Sequence, residues 1–296
     1  MSTPSEALLL GLIGDGITRS LTPPMQEREA AEHGIDLLYR PVDTAALGLT
    51  GAAAADALPE LLRWGQRLGF NGFNITHPFK QMVLDLLDEV EDSAARLGAV
   101  NTVVFAEDGR RVGYNTDFTG YLRGLRATVP DADLSEVVQL GVGGAGAAVA
   151  FALLQEGAEH LRLVDLDLSR AQERAASLQG LFPDAVVTAA PKADLEDVLA
   201  SATGFAHCTP VGMHHHPGTP VDIERIPDSA WVSDVVYLPL ETELVAAARG
   251  RGLRVADGGG MAVGQAVDAF TLFTGREPDA GRMARHFAEL TGQETA

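Results

Sequence analysis

The sequence feature that most constrains the fold is a glycine motif that joins a short apolar run to a helix-forming stretch. Residues 137–146 run into the pattern Gly-x-Gly-x-x-Gly, with glycines at Gly141, Gly143 and Gly146. Glycines so spaced permit a tight turn and let backbone N–H groups approach a pyrophosphate, whose charge the following helix N-terminus favours. The motif therefore predicts a strand, a phosphate-binding turn and a helix. The alternative is a glycine-rich turn without a ligand.

An acidic residue follows the next predicted strand, 161–164, at the spacing typical of dinucleotide-binding units. This residue is Asp165, about 20 residues after the last glycine. An acid here binds the free 2′-hydroxyl of NAD, whereas the 2′-phosphate of NADP calls for a cation, typically an arginine directly after the strand. The strand ends in Asp165-Leu166-Asp167, which favours NAD over NADP. Arg170, in the next helix turn, either pairs with Asp165 or stacks on adenine.

The order of the predicted elements indicates an α/β protein with two domains. Residues 1–118 alternate strands and helices, including a helix predicted over 78–87. From residue 137 onward a regular alternation predicts a parallel, doubly wound sheet, with strands near 161–164, 185–188, 204–207, 231–235 and 253–256. Two final helices, over 261–273 and 279–290, have no strand between them. We expect these helices to pack back on the first unit.

Composition excludes several classes of partner. The 296 residues carry a formal net charge of −19, which argues against a nucleic-acid backbone or an anionic membrane as the main partner. The N-terminal residues 1–6 lack the basic start and apolar core of a secretion signal, and no stretch approaches a membrane span. We therefore predict a cytoplasmic protein.

Cysteine and histidine usage argues against a metal site. Cys208 is the single cysteine, which excludes an internal disulfide, and its apolar surroundings predict a buried, inert thiol. The run His214-His215-His216 cannot converge on one tetrahedral ion without other ligands, so a solvated loop is the better interpretation.

Lys80 is the first candidate for a catalytic side chain. The chain contains two lysines, Lys80 and Lys192, and all its other basic side chains apart from histidine are arginines. Arginine stays protonated, whereas the pKa of a lysine falls when burial or neighbouring charge disfavours the ammonium, so lysine can exchange protons near neutrality. Lys80 closes the run Asn-Ile-Thr-His-Pro-Phe-Lys over residues 74–80. The alternative is a solvated lysine at the start of a helix.

Several further motifs resemble those of the shikimate/quinate dehydrogenase family. The resemblance covers residues 11–278 and is closest to the NAD-using quinate/shikimate branch. It rests on Ser20-Leu21-Thr22-Pro23, on residues 74–80, and on the segments 98–102, 113–117, 209–213 and 257–265. Two positions depart from the family pattern: His207 replaces a common asparagine, and Gly264 stands where relatives often have a bulkier residue.

The resemblance implies a fold and a set of site residues. It implies a substrate-binding catalytic domain over 1–118, completed by 262–296, and a Rossmann-like dinucleotide-binding domain over 119–261. It implies catalytic roles for Lys80 and Asp117. The implied substrate-binding residues are Ser20, Thr22, Asn74, Thr76, Asn101, Tyr237 and Gln265. The implied cofactor-binding residues are Gly141, Gly143, Gly144, Ala145, Gly146, Asp165, Arg170, Thr209, Val211, Met213, Gly258 and Met261.

The chemistry of alcohol oxidation fits these residue types. Oxidation by a nicotinamide requires a proton carrier at the hydroxyl, and Lys80 and Asp117 are the candidates, with the ground-state proton on either one. Ser20 and Thr22 suit the carboxylate of a polyhydroxylated acid, and amide and hydroxyl side chains suit its hydroxyls. The alternative for Ser20 and Thr22 is capping of the following helix.

We therefore predict an NAD-dependent oxidoreductase acting on quinate and shikimate. Thr22, where serine is common in shikimate-specific members, indicates dual specificity or a preference for quinate. The alternatives are an NADP-dependent shikimate dehydrogenase of aromatic biosynthesis and a dehydrogenase for aminoshikimate or aminoquinate. The expected partners are a small-molecule substrate and, in a homodimer, a second copy of the chain, with no metal, nucleic acid or membrane.

Overall fold

The computed structural model describes residues 7–292, and its chain divides into two compact units. Unit 1 comprises Met1–Thr116 and Ala266–Ala296, and unit 2 comprises Asp117–Gln265. Each unit has its own six-stranded sheet. The predicted α/β fold class is confirmed. The predicted domain boundaries, after residues 118 and 261, fall close to these limits, and the roles assigned to the two domains stay predictions.

Strands and helices alternate along most of the chain. The strands are β1 (Leu8–Gly14), β2 (Leu37–Asp43), β3 (Gly72–Ile75), β4 (Glu89–Val90), β5 (Thr102–Phe105), β6 (Arg111–Tyr114), β7 (Glu136–Leu140), β8 (His160–Asp165), β9 (Val186–Pro191), β10 (Gly204–His207), β11 (Trp231–Asp234) and β12 (Arg254–Ala256). The α-helices are α1 (Thr22–Glu32), α2 (Ala52–Arg67), α3 (Asp92–Leu97), α4 (Thr116–Thr128), α5 (Gly144–Gln155), α6 (Leu168–Leu181), α7 (Leu195–Leu199), α8 (Glu243–Gly250), α9 (Gly258–Thr274) and α10 (Ala280–Thr291). Across residues 7–292, no helix is both long enough and apolar enough to span a membrane.

The sheet of unit 1 is mixed, with strand order β2-β1-β3-β5-β6-β4. Strands β2, β1 and β3 run parallel, so their carboxyl ends meet at one edge, whereas β5 runs antiparallel to its neighbours β3 and β6. Helix α2 packs Leu58 and Leu62 into the same core as Phe73 of β3. The Phe73 ring fills the space where Gly11 and Gly65 would carry a Cβ, at 2.5 Å and 2.3 Å from ring atoms.

The prediction of one α-helix over residues 78–87 is wrong. Residues 77–81 form a turn, and Met82–Leu86 form a short 3-10 helix. The main-chain oxygen of Lys80 accepts a hydrogen bond from the N–H of Val100 at 2.8 Å, so a long-range partner takes the acceptor that an α-helix would use. The N–H of Leu84 donates instead to the oxygen of Gln81. Local propensity is overridden by the contact with Val100.

The sheet of unit 2 is entirely parallel, with strand order β12-β11-β10-β7-β8-β9. Strands β10 and β11 are buried along their whole length, as expected for parallel strands with helices on both faces. The strand order reverses between β7 and β10 at the centre of the sheet. Ligands of open α/β sheets bind outside the carboxyl ends of the strands at such a reversal.

Helices α4 and α9 approach closely through glycines that lie in unit 2. Gly120 and Gly124 of α4 face Gly260 and Gly264 of α9, and residues four apart share one side of a helix. A Cβ on Gly264 would lie 2.5 Å from the main-chain oxygen of Gly120, and one on Gly124 would lie 2.7 Å from the main-chain carbon of Gly260. The departure from the family pattern at Gly264 therefore has a packing reason.

Helices α1 and α10 of unit 1 are joined by a buried ion pair. Glu29 of α1 is 0% exposed, and its Oε1 accepts hydrogen bonds from Arg282 Nη2 at 2.6 Å and from the N–H of Asp279 at 2.8 Å. Its Oε2 accepts from Arg282 Nε at 2.8 Å. Burial raises the pKa of Glu29, but hydrogen bonds from Arg282, the Asp279 amide and His33 outweigh it, so the net pKa is lowered.

We predict that Arg282→Ala lowers the free energy of unfolding by about 3–5 kcal/mol, because it leaves the Glu29 carboxylate buried and unpaired. The matched control is Arg28→Ala, which breaks an exposed ion pair between the same helices, with Glu289, and should cost at most about 1 kcal/mol. The folded-state pKa of Glu29 is below its unfolded value. The ionised Glu29 carboxylate therefore stabilises the parent protein above pH 4.5, and this stabilisation is lost as the pH falls through the folded-state pKa. Urea unfolding at several pH values measures each effect, and equal losses for the two variants would contradict the prediction.

We also predict that Gly264→Ala destabilises the protein by about 1–3 kcal/mol, because a methyl group would push the α4 and α9 backbones apart. Gly180→Ala is the control: it lies in α6 with open space at the Cβ position and should stabilise by about 0.5–1 kcal/mol. The measurement is again urea unfolding. A Gly264→Ala protein as stable as the parent would mean that the helix contact is not tight.

Candidate active site

The two hydroxyl residues of the Ser-x-Thr-Pro motif lie between β1 and α1. Ser20 is half-buried, and its Oγ accepts a hydrogen bond from the N–H of Thr22 at 3.3 Å. Thr22 is the first residue of α1, and the N-cap position, Leu21, has no side-chain cap bond. The Ser20 hydroxyl thus accepts from the first N–H of α1, although Ser20 lies one residue before the N-cap position. Both side chains keep partial exposure at the helix start.

A buried carboxylate holds the loop that leads to these hydroxyls. Asp43, at the end of β2, accepts hydrogen bonds at Oδ1 from the N–H groups of Gly16 at 2.9 Å and Ala45 at 3.1 Å. Its Oδ2 accepts from the N–H of Thr18 at 2.9 Å and from Thr18 Oγ1 at 2.5 Å. Burial raises the pKa of Asp43, but these hydrogen bonds outweigh it and lower the pKa overall. Sequence reasoning missed Asp43, whose partners Gly16 and Thr18 lie 27 and 25 residues away.

Asn74 and Asn101 belong to one buried polar network in unit 1. Asn74 accepts from the Tyr39 hydroxyl, and its Nδ2 donates to Thr102 Oγ1 at 2.9 Å and to the Asn101 main-chain oxygen at 3.2 Å. The Oδ1 of Asn101 accepts from the N–H of Thr116 at 2.7 Å. A side-chain amide has two hydrogens, and both hydrogens of Asn74 are used here. Asn74 therefore holds the main chain at Asn101, and Tyr39 and Thr102 are members that the sequence did not reveal.

Lys80 stands on a turn anchored at both ends. Phe79, which is 0% exposed, fixes the turn in the core, and its N–H donates to the oxygen of Thr76 at 2.9 Å. The N–H of Thr76 in turn donates to the oxygen of Ile13 in β1 at 2.9 Å. Because Val100 binds the Lys80 oxygen, the lysine backbone is tied to the residue before Asn101. The structure thus joins the segments of Thr76, Lys80 and Asn101 within unit 1, and the Lys80 side chain is half-buried.

Three predicted catalytic or substrate-binding residues belong to unit 2. Asp117 lies in the first turn of α4 and is 8% exposed. Tyr237 follows β11 and is exposed. Gln265 lies in α9, where its Nε2 donates to the main-chain oxygen of Ala262 at 3.0 Å. These residues are spread over two helices and the loop after β11 in unit 2.

The glycine turn has the shape that a pyrophosphate requires. Gly141 has φ +97°, a conformation that favours glycine, and a Cβ on Gly146 would lie 2.2 Å from the Gly141 oxygen. Gly143 and Gly144, at the start of α5, have open space where a Cβ would stand, and Ala145 follows them in the first turn of α5. The turn is therefore tight where backbone meets backbone and open at the helix N-terminus. These residues fit a dinucleotide pyrophosphate.

Gln139 braces this turn from inside the sheet. It is 0% exposed, and its Nε2 donates to the oxygens of Gly141 at 2.9 Å and Gly146 at 2.7 Å. The two bonds join the strand end to the first turn of α5. Sequence reasoning treated Gln139 as part of an apolar strand, and a buried polar residue directly before the glycines was the available signal.

Asp165 lies at the end of β8, beside the glycine turn. Its Oδ2 accepts from the N–H of Val142 at 2.9 Å, and its Oδ1 accepts from Arg170 Nη2 at 2.6 Å and from the N–H of Asp167 at 3.1 Å. Burial raises the pKa of Asp165, but these bonds outweigh it and lower the pKa, so the carboxylate is ionised at neutral pH. Of the two roles considered for Arg170, the structure shows the ion pair. Leu166, directly after the strand, is 89% exposed.

The remaining cofactor-binding candidates follow β10 and begin α9. The N–H of Val211 donates to Thr209 Oγ1 at 3.3 Å, and Met213 is 39% exposed. Gly258 starts α9, where a Cβ would lie 2.3 Å from the main-chain oxygen of Val236, and Met261 is half-buried one turn later. Glycine at 258 is therefore required by the close approach of α9 to the segment after β11.

Cysteine and histidine side chains contribute no metal centre to the described structure. Cys208 is buried, and burial together with the charge of Asp234 raises the pKa of its thiol, which keeps it protonated. His214, His215 and His216 are exposed in a loop. Within residues 7–292, no group of three or more His, Cys, Asp or Glu side chains is placed to hold a metal ion.

Family models match both ends of the chain. Residues 12–103 match the shikimate dehydrogenase substrate binding domain. Residues 258–286 match the shikimate 5'-dehydrogenase C-terminal domain. The two matched segments include the turn of Lys80 and the whole of α9.

Whole-chain relatives agree with these matches. The chain is 55% identical to the shikimate dehydrogenase (NADP(+)) of Pseudarthrobacter chlorophenolicus, over 99% of each chain. It is 49% identical to the quinate/shikimate dehydrogenase (NAD(+)) of Corynebacterium efficiens, over 96% of this chain and 99% of the relative. The quinate dehydrogenase of Corynebacterium glutamicum, solved in complex with NAD, superimposes with a TM-score of 0.90 at 48% identity, over 96% of this chain and 99% of that one. The chain therefore belongs to the shikimate/quinate dehydrogenase family, oxidoreductases that act on a CH–OH group with NAD(P).

Proposed function

We propose that this protein oxidises a ring hydroxyl of quinate and shikimate, and reduces the corresponding ketones, with NAD as its cofactor. The observation that carries the proposal is the anchored turn of Lys80, the one lysine of unit 1, tied through Val100 to the buried network of Asn74 and Asn101. Such a network can hold a proton carrier and amide groups in fixed positions toward a polyhydroxylated ring. Unit 1 would serve as the substrate domain and unit 2 as the dinucleotide domain.

Each residue type has a defined role in this reaction. The nicotinamide, when bound, accepts or delivers the hydride. Lys80 takes the proton from the substrate hydroxyl oxygen during oxidation and returns it during reduction, and Asp117 steadies the protonation state by hydrogen bonding. Ser20 and Thr22 donate to the substrate carboxylate, and Asp43 keeps their loop in place. Asn101 and Thr76 contact ring hydroxyls, and Tyr237 and Gln265 complete the substrate contacts.

The charges beside the glycine turn support NAD as the cofactor. Asp165 is ionised, and an anion at this position repels a 2′-phosphate while accepting a hydrogen bond from a 2′-hydroxyl. The next residue, Leu166, brings no cation. Gly143, Gly144 and the N-terminus of α5 would hold the pyrophosphate.

The second candidate is an NADP-dependent shikimate dehydrogenase. Arg170 favours it, because its side chain is 56% exposed and its guanidinium can exchange Asp165 for a phosphate. The relative of highest identity described above also carries NADP(+) in its name.

A homodimer and a cytoplasmic location remain predictions. Light scattering of the purified protein tests whether it is a dimer.

We predict that the purified protein turns over quinate and shikimate with NAD and that Lys80→Ala lowers kcat by about 10²- to 10⁴-fold, because a positioned proton carrier is lost. Dinucleotide affinity should persist, since Lys80 belongs to unit 1. Lys192→Ala is the control: this second lysine donates to the oxygen of Pro220 and should be dispensable for turnover. Steady-state assays with shikimate, quinate and their amino analogues against NAD and NADP provide the test. Parent-like turnover by Lys80→Ala would remove the lysine from the mechanism.

We predict that NAD is preferred over NADP and that Leu166→Arg shifts the ratio of kcat/KM values toward NADP by about 10- to 100-fold, the effect of a charge-assisted hydrogen bond to the 2′-phosphate. Leu166→Gln, of similar length and without charge, should shift the ratio little. Asp165→Asn should also weaken the preference by relieving repulsion. Better use of NADP by the parent protein would favour the second candidate function.

We predict that Thr22→Ser shifts the ratio of quinate to shikimate efficiencies toward shikimate, by at most about 200-fold. Both hydroxyls can bind a carboxylate, whereas the threonine methyl restricts rotamers and narrows one side of the pocket. Quinate has a saturated ring, whereas shikimate has a double bond at the carbon that bears the carboxylate. The carboxylate therefore leaves the ring at a different angle in the two acids. The kcat/KM values of both acids decide the matter, and an unchanged ratio would contradict this role of Thr22.

A further inference from the structure

A chain of buried polar groups connects the ends of β10 and β11 with the segment 209–213. His207 is 0% exposed, and both of its ring nitrogens have a partner. Its Nδ1 lies 2.9 Å from Asp234 Oδ1, and its Nε2 lies 2.5 Å from Thr209 Oγ1. Asp234 is 2% exposed. The chain therefore begins at a buried carboxylate and ends at a half-buried hydroxyl.

The neighbouring hydrogen bonds assign the protons of this chain. Asp234 also accepts at Oδ1 from the N–H of Val236 at 3.0 Å and at Oδ2 from the Thr242 hydroxyl at 2.7 Å. Four lone-pair sites of one carboxylate accommodate these donors together with a His207 Nδ1–H. With the proton on Nδ1, the Nε2 of His207 accepts from the Thr209 hydroxyl. Every hydrogen in the chain then has an acceptor, which is what a buried network needs to be stable.

Thr209 lies at the point where the strand order of unit 2 reverses. Gly141 of the glycine turn has φ +97°, and a Cβ there would lie 2.6 Å from the main-chain oxygen of Cys208 and 2.9 Å from Thr209 Cγ2. Thr209 therefore packs on the first glycine of the turn. The crevice outside this reversal has the glycine turn on the β7 side and the segment 209–213 on the β10 side.

The same chain reaches the other end of this segment through Thr242. Thr242 is the N-cap of α8, and its Oγ1 accepts from the N–H of Val245 at 3.1 Å. Its side chain also packs on Gly212, where a Cβ would lie 3.2 Å from Thr242 Cγ2. Asp234 thus holds the segment 209–213 through His207 and Thr209 at one end and through Thr242 at the other.

We propose that His207 is a positioning residue for the dinucleotide: paired with Asp234, it fixes Thr209 and the segment 209–213 as the β10-side wall of the crevice. His207 does not touch the reacting atoms, and it sets dinucleotide affinity without setting substrate affinity. This inference rests on the proposed function, because it requires that the crevice of unit 2 bind a dinucleotide.

A double-mutant cycle on the full-length protein tests the proposal, with NAD affinity measured by isothermal titration calorimetry. His207→Asn keeps an amide N–H near Asp234, but its shorter side chain does not reach Thr209, and Thr209→Val removes the hydroxyl. Each variant should raise the Kd for NAD about tenfold, the effect of one buried hydrogen bond. The double variant should bind no more weakly than either single one, because all three lack the same contact.

Two controls separate positioning from general loss of structure. Thr209→Ser keeps the hydroxyl and loses only the methyl group that lies against Gly141, so it should weaken NAD binding less than Thr209→Val does. Tyr121→Phe removes a different buried hydrogen bond, to Ser233 Oγ at 2.9 Å, beside Asp234 in β11, and should leave the Kd unchanged. The KM for the hydroxy acid should stay constant in His207→Asn, and the calorimetric stoichiometry of NAD binding should stay at the parent value, which a global loss of folding would not permit.

The outcomes distinguish this inference from the proposed function. Parent-like NAD affinity in His207→Asn, or single effects that add in the double variant, would overturn the role of His207 while leaving the function intact. If the parent binds NADP alone, the same cycle is measured with NADP and judged by the same criterion. A parent protein that binds neither dinucleotide would overturn both.

Discussion

Hydrogen bonds from buried side chains to main-chain groups at the carboxyl ends of the strands are the interaction on which both units depend. A buried main-chain group without a partner costs about 1–3 kcal/mol, so loops that leave a sheet need donors and acceptors close to the strand ends. In unit 1, Asp43 supplies acceptors to the loop before Ser20. In unit 2, Gln139 supplies donors to the glycine turn, and Asp234 accepts from the N–H of Val236 directly after β11. The candidate binding groups are thereby fixed to the sheets.

Glycines serve two opposite purposes in this chain. At Gly143 and Gly144 the absence of a side chain leaves open space at a helix N-terminus, which is what a phosphate needs. At Gly146 and Gly264 the space is already filled by main-chain oxygens, so the same residue type brings two backbones together. A glycine motif therefore combines a ligand surface with the packing that supports it, and sequence spacing alone does not separate the two roles.

Two buried carboxylates within residues 7–292 are paired with arginines. Despite a net charge of −19, the two best-buried carboxylate–arginine pairs, Glu29 with Arg282 and Asp165 with Arg170, each lie at one defined junction. Hydrogen bonds overcome the effect of burial in both, so both acids have lowered pKa values and stay ionised. The first pair joins two helices. The second keeps a carboxylate beside the glycine turn, with the Arg170 guanidinium as its partner.

The sequence by itself determined the α/β class, the parallel sheet, the glycine turn and the position of Asp165 beside it, because these follow from local spacing and residue chemistry. The catalytic role of Lys80 stays a prediction. Only the tertiary structure decided what surrounds them. Residues 78–87 do not form the predicted helix, because Val100 takes the acceptor of Lys80. Asn74 orients its neighbours, and Asp43, Gln139 and the His207–Asp234 pair emerge as supporting groups. Most of these contacts join residues 20 or more positions apart, and the hydrogen-bond partners of a buried polar side chain are chosen by the packing of distant strands, which no local pattern records.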